Sequence, residues 1–184
     1  MSARAFDPLR LDVQAFAQDA AHLEGHWPLH QFERIREAVH SEVKASDADD
    51  VAWRVRGEIR SSRGQPNQPW LHLLATARLK LECQRCLDSV DTALAIDRWF
   101  LFVSGEDAAA QTDADIDDDV LALTRALNLR DLLEDELLLA LPLVPRHEAC
   151  PAPLMRADDV AEASHDRPNP FAALEALKRG RRQN

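Results

Sequence analysis

The chain has 184 residues, 46% of them hydrophobic and 29% charged, with a formal charge of −10. That length can bury a real core, as one domain or one domain with appendages, while the acidic balance excludes a uniformly basic nucleic-acid-binding domain. No apolar run approaches the roughly 20 residues of a membrane helix, and MSARAFDPLRLDV at the N-terminus lacks the apolar core of a signal peptide. Three cysteines, two of them in a C-x-x-C, fit a reducing cytoplasm better than a disulfide scaffold.

The charge is segregated. Residues 51–103 hold 8 basic and 5 acidic side chains, whereas residues 104–150 hold 3 basic and 12 acidic. A locally positive middle therefore sits inside an acidic protein. The pattern divides the chain into an N-terminal helix and strand segment (1–50) expected to pack on the core, a sheet-plus-helix core (51–150), and a linker with a short basic helix (151–184).

In chain order, Asp12 is placed to cap a short helix to about Ala21, with Val13, Phe16 and Ala20 on one side. HLEGHWPLHQFERI (22–35) carries turn signals at Gly25 and Pro28 and then a short helix or bend. Trp27, Leu29, Phe32 and Ile35 are its core candidates. Residues 37–43 read as a strand and 44–50 as an acidic connector. From Val51 the period becomes two: Val51, Trp53, Val55, Gly57 and Ile59 share one face, and Arg54, Arg56, Glu58 and Arg60 the other.

The turn-rich SSRGQPNQP leads to a second strand, where Leu71, Leu73, Ala75, Ala77, Leu79, Leu81 and Cys83 alternate with polar residues including Arg78 and Lys80. CQRCLDS turns into a third strand with Val90, Thr92, Leu94 and Ile96 inward. Short connections between successive strands predict an antiparallel β-meander sheet packed with a few short helices, an α+β fold.

Residues 105–119, acidic and alanine-rich, read as a loop, and residues 120–129 as a small hairpin or strand. Asp113, Asp115 and Asp117 resemble the start of an EF-hand loop, but Asp118 stands where glycine is needed and Thr124 where a bidentate glutamate is needed, so calcium is not expected. Asp131–Leu141 predicts an amphipathic helix with an apolar stripe through Leu129, Leu132, Leu133, Leu137, Ala140 and Leu141, stopped by Pro142. Glu136 lies on or beside that stripe and needs a partner, such as a strand arginine. Asp131, Glu134 and Asp135 fall on the side expected to be solvated. Near the C-terminus, Pro170 opens a short amphipathic helix through Phe171, Leu174 and Leu177.

Two groups of residues can carry function. Cys83 and Cys86, with His147 and Cys150 some sixty residues on, have the ligand types and local spacing of a tetrahedral zinc site; a reduced strand-end pair plus a loop cysteine is the alternative, and the sequence leaves both open. Arg54, Arg56, Arg60, Arg78 and Lys80 form one basic strand face, joined by Arg85 in the turn, and are the candidates for RNA phosphate contact. A merely solvated face is the competing reading. Trp53, Trp70, Trp99 and Phe102 read as core more readily than as base-stacking groups. No Walker loop, G-x-G-x-x-G, H-E-x-x-H or G-x-S-x-G is present, so no enzyme is indicated.

LECQRCLDSV, LRDLLEDELLLALPLVPRHEAC and RPNPFAALEALK, with LEGHWPL near the N-terminus, resemble the YceD family of bacterial large ribosomal RNA subunit accumulation proteins. The matching positions are Cys83, Gln84, Arg85 and Cys86; Glu134, Asp135 and Glu136; Leu141, Pro142, Val144 and Pro145; and Asn169, Pro170 and Phe171. The resemblance implies a role in the synthesis, processing or stability of large-subunit ribosomal RNA, with no known catalytic activity. The expectation is a cytoplasmic binding factor for that RNA or its precursor, with neither DNA nor membrane as partner. An acidic adaptor for a basic ribosomal protein is the alternative, and a metal-dependent RNA-processing enzyme ranks last.

Overall fold

The computed structural model describes residues 4–39, 50–61, 67–114, 116 and 118–151. Residues Met1–His147 form one compact unit and Glu148–Asn184 a second. The first is α+β: strands β1 (His22–Pro28), β2 (Asp50–Arg60), β3 (Gln68–Glu82), β4 (Ser89–Val103) and β5 (Asp119–Ala122), with helices α1 (Val13–Gln18), α2 (Glu33–Ala38), α3 (Glu106–Asp113) and α4 (Leu129–Leu139). The sheet order is β1-β2-β3-β4-β5. The first four strands run as the expected antiparallel meander, and β5 adds a parallel edge beside β4.

The period-two pattern makes a two-faced sheet. Val51, Trp53 and Val55 of β2, Leu71 through Leu81 at alternate positions of β3, and Leu94, Ile96, Phe100 and Phe102 of β4 are buried on one face. They meet Val13 and Phe16 of α1, Ile35 of α2 and Leu129, Leu133 and Leu137 of α4 in a single core. Asp12 caps α1 as its sequence predicts, its carboxylate accepting from the Ala15 N–H at 3.0 Å. Gly57 lets α1 approach: a Cβ there would stand 2.6 Å from Phe16 Cδ1 and 2.9 Å from Ala17 Cα. On the opposite face, α3 covers one end only, closing a small second core of Trp70, Leu101, Ala109 and Val120.

Several sequence expectations are corrected. Residues 22–28 form the edge strand β1, not a turn, because pairing with β2 satisfies the backbone from His22 to Pro28; Gly25 leaves room for the Trp53 indole. The region expected to be a loop after Gly105 contains α3, whose alanines have high helix propensity and whose Glu106 and Asp107 suit the N-terminal dipole. The strand expected from Glu37 is instead the end of α2 to Ala38, and Val39 makes an isolated bridge to Leu81. Residues 40–49, Asp115, Asp117 and the terminal motif Asn169, Pro170 and Phe171 lie outside the described residues.

Gly57→Ala is expected to lower stability by roughly 1–3 kcal/mol through overpacking against α1, read as a lower urea midpoint at unchanged m value.

Candidate functional site

The β3–β4 connection builds the first site. Cys83 follows directly on Glu82, the last residue of β3, and its N–H donates to the Asp88 carbonyl at 2.9 Å while its carbonyl accepts from the Leu87 N–H at 2.8 Å. This tight turn holds Leu87 in the left-handed region, φ 65°, a conformation a branched side chain rarely takes. The Gln84 N–H donates to the Pro145 carbonyl at 2.9 Å, drawing the segment after α4 against the cysteine turn. Pro142 follows the Ala140 C-cap of α4, and the chain then runs through Pro145 to His147.

Cys83, Cys86, His147 and Cys150 bring ligand atoms to within 4.8 Å of one another, and none of the three cysteines is in a disulfide. Cys83 is buried and the other three are half-buried. His147 Nε2 lies 3.1 Å from the Ser89 carbonyl, which can only accept, so that nitrogen carries the proton. Nδ1, 3.5 Å from Cys86 Sγ, then presents its lone pair toward the thiols in the neutral ring. Burial pushes the Cys83 thiol up, but backbone N–H groups of His147, Arg85 and Cys86, and the Cys86 side chain, outweigh it and hold the thiol at about 5. Three thiols, an oriented imidazole and a fixed second partner for that imidazole fit a metal cation of tetrahedral, sulfur-tolerant chemistry.

The acidic motif of α4 has a different job. Phe32 at the N-cap of α2 has no side-chain acceptor for the helix's first N–H groups. Glu134 Oε1 supplies one from across the core, accepting from the Arg34 N–H at 2.8 Å and the Ile35 N–H at 3.2 Å, while Oε2 meets Arg34 Nε at 3.2 Å. Asp135 takes the other end of the same guanidinium at 2.6 Å. Glu134, expected on the solvated side, is thus buried, at 8% exposure. Glu136 is buried as expected and has a strand arginine as partner, Arg98 Nε at 3.6 Å. Burial, with Asp119 nearby, lifts its carboxyl above the usual range; Arg98 opposes and Asp135 adds to the shift. Arg34 was invisible to sequence reasoning, because no local spacing links it to a residue a hundred positions away.

The second site is the uncovered sheet face. Arg54, Arg56, Arg60, Arg78 and Lys80 share it, since they occupy alternate positions of β2 and β3. Carboxylates interleave with them: Arg54 pairs with Glu24 at 2.9 Å, Arg56 and Arg60 with Glu58 at 3.1 and 2.6 Å, and Lys80 with Asp91 at 2.7 Å. Arg85 is exposed in the cysteine turn. Sequence reasoning missed the aromatic part of this face. His72 stacks on Trp99 with centroids 4.1 Å apart and planes at 4°, and Arg60 Cζ lies 3.9 Å from the Trp99 centroid and 4.3 Å from that of Trp70. Beside this stack a trough of about 800 Å³ crosses the sheet, walled by Glu24, Arg54, Leu74 and Asp97 and floored by Ala52, Thr76 and Ala95. Among the described residues, no helix is long and apolar enough to cross a membrane.

Fold and cysteine turn together define a small α+β protein built on one sheet, with a cysteine–histidine cluster able to hold a metal ion at the β3–β4 turn. The family model for "Large ribosomal RNA subunit accumulation protein YceD" matches residues 71–178, and the chain belongs to that family. A relative from Haemophilus influenzae, the large ribosomal RNA subunit accumulation protein YceD, is 28% identical over 175 residues, covering 93% of this chain and 95% of the relative. No solved structure matches.

Because the net shift on Glu136 is upward, its ionised form is the costly one, and stability is lost as pH rises through its folded-state pKa. Glu136→Gln is therefore expected to raise the melting temperature at neutral pH and to flatten its rise on mild acidification, measured by thermal unfolding across that range.

Proposed function

We propose that this protein supports the accumulation of large-subunit ribosomal RNA in the cytoplasm, acting by binding that RNA or its precursor and not by catalysis. Membership of the YceD family supports the process. The observation that carries the binding mode is the gathering of Arg54, Arg56, Arg60, Arg78 and Lys80 on a sheet face that the described helices leave largely uncovered, with Arg85 in the adjoining turn. Glu134, Asp135 and Glu136 are occupied by Arg34 and Arg98, which supports a structural role for the motif and leaves the RNA-processing enzyme with the weakest case. Neither DNA nor a membrane is a partner in this reading.

Within the same reading, Cys83, Cys86, His147 and Cys150 hold one structural zinc. The cation would tie the cysteine turn to the segment after α4, replacing thiol protons with bonds of about 2.3 Å. Protein purified without a histidine tag is expected to carry close to one equivalent of zinc by elemental analysis. Cys83→Ser should abolish it and lower the melting temperature; less than about half an equivalent in the unmodified protein would count against the site.

A second reading, an acidic adaptor for a basic ribosomal protein, draws support from the carboxylates that already neutralise much of the basic face. Crosslinking in living cells separates the two. RNA binding predicts crosslinks at discrete positions in large-subunit ribosomal RNA, reduced roughly tenfold or more when Arg54, Arg56, Arg78 and Lys80 are replaced together by serine. Unchanged crosslinking of that variant would exclude the face, and recovery of a basic protein with no RNA would favour the adaptor.

A further inference from the structure

Resting on the RNA-binding reading, we infer that the open sheet face takes single-stranded RNA, with an unpaired base stacked on the Arg60 guanidinium over Trp99. The charge pattern and the aromatic stack both point this way. A duplex offers a flat surface little besides phosphates, and phosphate recognition needs cations whose charge is available. Here Arg54, Arg56, Arg60 and Lys80 each lie within 3.1 Å of a carboxylate on the same face, which offsets much of their attraction for a phosphate rail. The same carboxylates suit unpaired bases, because Asp and Glu accept hydrogen bonds from exocyclic amino groups that a duplex keeps paired.

Planar groups from three neighbouring strands are already layered at one end of this face: His72 on Trp99 at 4.1 Å, and Arg60 at 3.9 Å from Trp99 and 4.3 Å from Trp70. Arg56 lies 5.8 Å from the Trp99 centroid. Trp70 is buried, at 8% exposure, but the Arg60 side chain is 37% exposed, so the guanidinium is the accessible plane of the stack. Glu58 fixes it from the edge at 2.6 Å, so a base would meet the part of its surface that the Trp99 and Trp70 rings leave exposed. Guanidinium and aromatic planes are the groups on which splayed RNA bases stack. The trough beside the stack continues across β1 to β4, past Arg54, Leu74 and Asp97, and gives the following nucleotides a path.

The test uses the full chain and fluorescence anisotropy with two probes, an oligoadenylate of about 12 nucleotides and an RNA duplex of similar length. The single strand is expected to bind at least about tenfold tighter than the duplex. Arg60→Lys keeps the charge and loses the plane, so it should weaken single-strand binding several-fold and leave duplex binding unaffected. Trp99→Leu should cost about tenfold, and Trp99→Phe, which retains a stacking ring, should recover most of that loss if the fold is intact. Equal or tighter duplex binding, or an Arg60→Lys variant indistinguishable from the unmodified protein, would overturn the stacking inference while leaving RNA binding in place. Failure to bind either probe would overturn the RNA-binding reading itself, and this inference with it.

Discussion

The pleat of β3 is the constraint from which the rest of the arrangement follows. This central strand pairs with β2 from Gln68 to Thr76 and with β4 from Trp70 to Glu82, so a shift by one residue would turn the buried leucines out and bring polar and charged residues such as His72, Arg78 and Lys80 toward the core. Fixing that register puts Leu71 to Leu81 under the helices and Trp70, His72, Arg78 and Lys80 on the far face. It also delivers Cys83, next in the alternation, buried at the end of the strand, where the turn can bring Cys86 back beside it.

Once one face is apolar, it must be covered, and the way α4 covers it explains the acidic motif. Its leucines enter the core at helical spacing while Glu134 and Glu136, on the flanks of the same stripe, are carried in with them. A buried carboxylate is tolerated only with donors in place. Glu134 finds them at the uncapped start of α2, satisfying groups that Phe32 cannot. Glu136 has the guanidinium of Arg98, an inward position of β4 given over to a cation, at the longer distance of 3.6 Å. The two carboxylates therefore orient α4 on α2 and on the sheet. The chain leaves that helix pointing toward the cysteine turn, where Pro145 and Gln84 meet.

The two candidate surfaces have opposite characters because their supports differ. The metal-type cluster is held by backbone hydrogen bonds in a short turn, with His147 oriented by the Ser89 carbonyl. The open face is held by the regular sheet, and its side chains are organised by contacts with one another: ion pairs along β2 and the stack over Trp99. Lys80 even holds the Asp91 carboxyl below its usual range by donating to it. Such a face presents layered planar groups and paired charges in place of a bare cationic surface.

Periodicity and local chemistry made much of this legible without coordinates. Alternation fixed the faces of β2, β3 and β4, Asp12 announced α1, the stripe from Leu129 announced α4, and the C-x-x-C with H-x-x-C named the members of one side-chain cluster, because each of these signals is carried by residues close in sequence. Other features depended on residues far apart. Residues 22–28 became a strand only because β2 offered an edge to pair with, and α3 only showed its apolar side against β5. Glu134 exchanged a solvated position for a buried one because Arg34 and the start of α2 came to meet it. The neutralised charge of the open face and its stack of Trp99, Arg60, His72 and Trp70 belong to the same class, set by which strands lie side by side. The sequence by itself determined the two faces of the sheet and the residue types of the cysteine–histidine cluster; tertiary structure decided which polar groups would meet, since pairing across strands and helices is a property of distance in space.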